Sequence, residues 1–101
     1  MDRRPFLHRE LTNVLQSNNV YFQPPESIKL SYPAIIYNLN DLQTNHANNK
    51  LYGLAKQYVV TYITRDPDDP IVDKLIALEY CRFQRSYRSD GLNHYIFEIF
   101  Y

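Results

Sequence analysis

The sequence predicts an α+β fold: a mostly antiparallel sheet carrying two helices on one face, in the order α-β-β-β-α-β-β. Three observations predict it. An apolar stripe at helical spacing lies near the start of the chain. Strand-type runs rich in Tyr, Val and Ile follow, punctuated by Pro, Asn and Ser-Asp-Gly clusters. A short apolar helix pattern, led by aspartates and prolines, interrupts those runs. With 101 residues there is room for one domain, residues 1–101.

The first helix is expected over residues 5–16. Pro5 suits a first turn, where its missing N–H is not needed, and Leu7, Leu11, Val14 and Leu15 form one stripe. Ser17-Asn18-Asn19 ends it. A short strand over residues 20–23 stops at Pro24-Pro25, because proline cannot donate to a ladder. Residues 26–32 connect it to a second strand over residues 33–39, whose first residue, Pro33, sits where a strand tolerates proline.

Residues 40–50 are polar and asparagine-rich, which is turn chemistry. A long strand over residues 51–64 follows, with Gly53 as a candidate bulge. These two strands predict a long β-hairpin with a projecting polar tip.

The run Arg65-Asp66-Pro67-Asp68-Asp69-Pro70 breaks that strand. Each proline disfavours α conformation in the residue before it, and Asp69 is placed to cap a helix whose first residue is Pro70. Ile71, Leu75 and Leu78 form its stripe, with Val72 and Ile76 alongside, so this helix is expected to be mostly buried. In residues 80–88 simple alternation puts Cys81, Phe83, Arg85 and Tyr87 on one face and Arg82, Gln84, Ser86 and Arg88 on the other. Ser89-Asp90-Gly91 reads as a tight turn. The final strand, residues 92–101, is apolar on both faces near its end, which predicts a central or covered strand with its terminus tied down.

Composition narrows the function classes. Hydrophobic residues make up 45%, enough for a core, and the formal net charge is +0, which argues against a general nucleic-acid binder. The single cysteine, Cys81, excludes an internal disulfide and fits a protein assembled in a reducing cytoplasm. No apolar run reaches membrane-spanning length, so no membrane partner is expected. Ten tyrosines and five phenylalanines with no tryptophan suit either an aromatic-rich sheet or a protein interface.

No catalytic, cofactor or metal site is visible. His8, His46 and His94 are far apart and lack zinc-ligand spacing. His94 reads as a packed strand residue and Cys81 as a small buried hydrophobe. Asp66, Asp68, Asp69 and Asp73 cluster without the glycine and distal glutamate of a calcium loop, and capping accounts for Asp66 and Asp69. Arg82, Arg85 and Arg88, with Lys74 nearby, are either a solvated surface or a basic face that attracts phosphates.

Several short pieces, in order, resemble a known family: Tyr32-Pro33-Ala34-Ile35-Ile36-Tyr37, then Thr64-Arg65-Asp66-Pro67-Asp68 with Asp73-Lys74-Leu75, then Leu92-Asn93-His94. They are similar to tail completion or tail terminator proteins of long-tailed bacteriophages and prophages of Gram-positive bacteria. The likeness runs from about residue 20 to residue 101; the first helix matches in pattern only. The segment from Arg85 to Gly91 is more basic than that family's pattern.

The resemblance implies a structural virion protein at the neck, assembled in the host cytoplasm, and no enzyme. It would form a homo-oligomeric ring, commonly a hexamer, on the head-proximal end of the tail tube. There it would end tail polymerisation and offer a surface to the head–tail connector or stopper protein. Its implied partners are further copies of itself, the tail tube protein, the connector, and genomic DNA passing without sequence specificity. Candidate inter-subunit or tube contacts lie on the hairpin: Asn40, Leu42, Asn45, His46, Lys50 and Tyr52. Candidate channel-lining residues are Arg82, Arg85 and Arg88. Two other readings stand beside it: another neck component, such as a head completion or stopper protein, and a small peptide- or RNA-binding module with tyrosines on an open sheet face.

Overall fold

The computed structural model describes residues 4–25, 29–42, 56–78 and 81–101. Its elements are α1 (Arg4–Leu15), β1 (Val20–Phe22), β2 (Ala34–Leu42), β3 (Lys56–Thr64), α2 (Ile71–Ile76), β4 (Cys81–Ser89) and β5 (Leu92–Phe100). This is the α+β order expected from the sequence. One five-stranded sheet runs β1-β2-β3-β5-β4. β1 lies parallel to β2, and every other neighbouring pair is antiparallel.

The apolar stripe of α1 is the reason it docks where it does. Leu7, Leu11 and Leu15 are buried together, and Gln16 ends the helix in a left-handed conformation (φ 57) while its N–H still reaches the Thr12 carbonyl at 2.8 Å. β1 stops at Phe22, and β2 and β3 form the expected hairpin. Residues 43–55, with the projecting tip and the Gly53 bulge, lie outside the described residues. A bulge sits instead in β2 itself, where the register shifts between Leu39 and Asp41 and leaves Asn40 as the extra residue. The tight turn after β4 holds: Ser89 pairs with Leu92, and Asp90 (φ 53) and Gly91 (φ 76) both have the positive φ that a two-residue type I′ hairpin needs.

One face of the sheet meets the helices. Ile35 and Tyr37 from β2, Tyr58, Val60 and Tyr62 from β3, and Phe97 and Ile99 from β5 close a core with the three α1 leucines and Leu75 of α2. Both helices therefore sit on the same face, as expected. β5 lies between β3 and β4, consistent with its two apolar faces. Among the described residues, no helix is long and apolar enough to cross a membrane.

Simple alternation fails in β4. The register shifts between Phe83 and Arg85, leaving Gln84 as a bulge. Beyond it every side chain changes face. Cys81 and Phe83 stand over the core, paired with Ile99 and Phe97. Arg85 and Tyr87, paired with Ile96 and His94, share the opposite face with Arg82, whereas Ser86 and Arg88 join the core side.

Candidate interaction surface

Two polar nodes pin the helix side of the sheet. In the first, Asp69 caps α2 and ties it to β3. Its Oδ1 accepts the Ile71 N–H at 3.0 Å, and its Oδ2 accepts the Tyr62 hydroxyl at 2.5 Å and the Thr64 hydroxyl at 2.9 Å. Pro70 is already helical at φ −66, so the Asp-Pro pair starts the helix as the sequence suggested. Asp66 is used locally, accepting the Asp68 N–H at 2.9 Å in an Asx turn. Burial alone would raise the Asp69 carboxyl. The hydrogen bonds from Tyr62, the Ile71 N–H and Thr64 outweigh it and hold the group below the ordinary carboxylate value. Burial, followed by its bond to that carboxylate, keeps the Tyr62 phenol firmly protonated.

In the second node the fully buried Tyr37 places its hydroxyl 2.7 Å from His8 Nδ1 and 3.3 Å from the Arg4 guanidinium, which also lies over the Phe22 ring. Burial, then the positive charge of Arg4, lowers the His8 pKa from its usual 6.5. In both nodes the polar groups hydrogen-bond to one another. Burial pushes the Cys81 thiol up to about 11, so it is not a nucleophile at neutral pH. Among the described residues, no group of His, Cys, Asp and Glu is placed to share a metal ion.

The opposite face of the sheet is built differently. Register places Tyr21, Ile36, Thr61, Ile96 and Arg85 across one row of it, and Ala34, Ile63, His94 and Tyr87 across the next. Ala34 and Ile63, at the paired ends of β2 and β3, and Ile96 are buried, while Tyr21, Ile36, Val59, Thr61 and Phe100 are only partly covered. Among the described residues no helix lies on this side. A polar border runs past it: Gln57 donates to Glu98 at 2.6 Å, and Arg82 pairs with the same carboxylate at 3.3 Å.

At the β4 end the exposed Tyr87 ring stacks on His94, with centroids 4.7 Å apart and planes within 7°, and Arg85 lies 5.8 Å from the Tyr87 centroid. His94 is thus the packed strand residue expected of it.

The sequence-based site residues fall in three places. Asn40 is exposed at the β2 bulge, and Leu42 is the last residue of that strand. Asn45, His46, Lys50 and Tyr52 lie outside the described residues. Arg82, Arg85 and Arg88 are all exposed, but the Gln84 bulge divides them: Arg82 and Arg85 stand on the helix-free face, Arg88 on the other. Sequence reasoning expected both helices on one face of the sheet but did not name the residues of the helix-free face. Its only signal was the second apolar row of the final strand, Ile96 and Phe100. No family model, curated protein or solved structure matches this chain.

Proposed function

We propose that this chain is a structural, ring-forming assembly protein of the tail-terminator type. It would cap the head-proximal end of a phage tail tube, stop its polymerisation and join the tail to the head connector. The observation that carries this reading is the helix-free sheet face. Among the described residues no helix covers the partly buried Tyr21, Ile36, Val59 and Phe100 there, and apolar surface of that kind is where protein partners dock. The motif resemblance supports the neck of the virion as the setting. The polar groups on the helix side are engaged with each other, which supports a protein that binds rather than reacts.

The ring follows from symmetry. Heterologous contacts between identical subunits close when the rotation per subunit divides a full circle, and a hexamer is the closure the resemblance implies. Electron microscopy of phage particles assembled without this chain tests the reading. Overlong or ragged tails, unjoined to filled heads, are expected. Normal tails beside leaking heads would move the protein to the head side of the neck as a completion or stopper protein. Normal infectious particles would overturn the structural reading.

One observation favours a second reading. The exposed Tyr87, stacked on His94 beside Arg85, is a surface on which an unpaired base can stack. Titration with a labelled single-stranded oligonucleotide separates the two. Tight, salt-sensitive binding lost on Tyr87→Ala is the result that a nucleic-acid module requires and a tube cap does not.

A further inference from the structure

The two edges of the sheet are not alike. β1 is three residues long and is followed, after Gln23, by Pro24 and Pro25, so it offers a neighbour almost no ladder. β4 is nine residues long, lies at the opposite edge, and is exposed from Arg82 through Ser89. The bulge at Gln84 leaves a regular run from Arg85 to Ser89, paired residue by residue with β5 on its inner side. Its charges all have one sign: β4 contains three arginines and no acidic residue. The exposed Tyr87 ring stands in the middle of the regular run, with Arg85 on its own face and Arg88 on the other.

We propose that the outer edge of β4, along Arg85–Ser89, accepts by antiparallel strand addition an extended acidic segment of a different protein. The added strand would continue the sheet through backbone hydrogen bonds, place carboxylates opposite Arg85 and Arg88, and lay an apolar side chain on Tyr87. Charge decides the occupant. Two β4 strands meeting across a twofold axis would bring three arginines from each copy together with no acidic residue between them, which like-charge repulsion opposes. Nor do the other strands of a second copy complement it: β1 and β3 carry no acidic residue, β2 only Asp41 and β5 only Glu98. This inference does not depend on the phage reading.

The test uses a fluorescently labelled synthetic peptide containing Thr-Glu-Val-Thr-Glu, whose two glutamates, three residues apart, fall on opposite faces of a strand as Arg88 and Arg85 do. Its controls are a lysine-for-glutamate version and a version N-methylated at every backbone amide, which keeps the charge but leaves no N–H donor on either edge. Binding is read by anisotropy and mapped by amide chemical shifts of the intact chain. Saturable binding of the glutamate peptide is expected, with shifts concentrated in Arg85–Ser89. Affinity should fall about tenfold in each of Arg85→Glu and Arg88→Glu and be lost for both control peptides. Both substitutions are at exposed positions, and unchanged circular dichroism confirms that the variants are folded. Equal binding of the N-methylated peptide would reduce the effect to unspecific charge attraction and overturn the proposal. So would shifts confined to the β1–β3 part of the helix-free face, around Tyr21, Ile36 and Val59, absence of binding, or self-association of the chain through β4 under the same conditions.

Discussion

The same five strands present two faces of opposite character. On the helix side, Tyr37, Tyr58 and Tyr62 are almost fully buried, and their rings pack with Phe22 and Phe97 under α1 and α2. The hydroxyls of Tyr37 and Tyr62 are satisfied by His8 and Asp69. On the other side the rows run Tyr21-Ile36-Thr61-Ile96-Arg85 and Asn38-Val59-Glu98-Arg82, apolar in the middle and charged at the β4 end. The first face spends its aromatic surface on folding. The second keeps apolar and cationic groups within reach of a partner. The aromatic richness of this chain therefore serves stability on one side and is available for recognition on the other.

The largest expected difference between the faces is in the core. Phe97→Ala should destabilise the protein by about 3–5 kcal/mol, because a fully buried ring leaves a cavity. Val59→Ala on the helix-free face should cost less than about 1 kcal/mol, since its side chain is already partly hydrated. Urea unfolding measures both, and equal losses would erase the distinction.

Next is the Asp69 node. Tyr62→Phe or Asp69→Ala should each lose about 1–3 kcal/mol, and the double variant should lose less than the sum, since the two groups share a hydrogen bond. Asp69 binds its proton more weakly when folded. Its contribution is therefore complete above the ordinary carboxylate pKa and is lost as pH falls through the lower folded value. Unfolding curves of Asp69→Ala should show a shallower loss of stability in acid than the parent.

A smaller effect belongs to His8. Its folded pKa lies below 6.5, so protonation favours the unfolded chain, and stability should decline as pH drops from neutral through that value. His8→Gln should flatten that part of the profile, as read by thermal unfolding at several pH values. The smallest effect is at the β4 border. Arg82→Ala should change stability by no more than about 0.5 kcal/mol, because its ion pair with Glu98 is solvent-exposed on the arginine side.

Much of the helix side was legible in the sequence, because its signals are local. The leucine stripe of α1 is a period, the Asp-Pro start of α2 is a cap, and the Asp90-Gly91 turn is a matter of positive φ. What Asp69 caps against was not legible. Tyr62 and Thr64 reach it only because β3 ends beside the start of α2, a fact of tertiary placement. The faces of β4 were misread for a related reason. Alternation assumes an unbroken ladder, and the bulge at Gln84 is set by pairing with β5, which leaves no mark on the local pattern. The parallel β1–β2 pairing was likewise invisible, since periodicity carries no strand direction.

The central claim is that the helix-free face assembles the protein while the helix face folds it. The most direct measurement is electron microscopy of phage particles assembled with Val59→Lys, whose ammonium group would stand opposite Glu98, in place of the parent chain, alongside urea unfolding of the purified variant. The account predicts a variant that unfolds near the parent's midpoint yet yields overlong, unjoined tails. A stably folded variant that gives normal tails would contradict it.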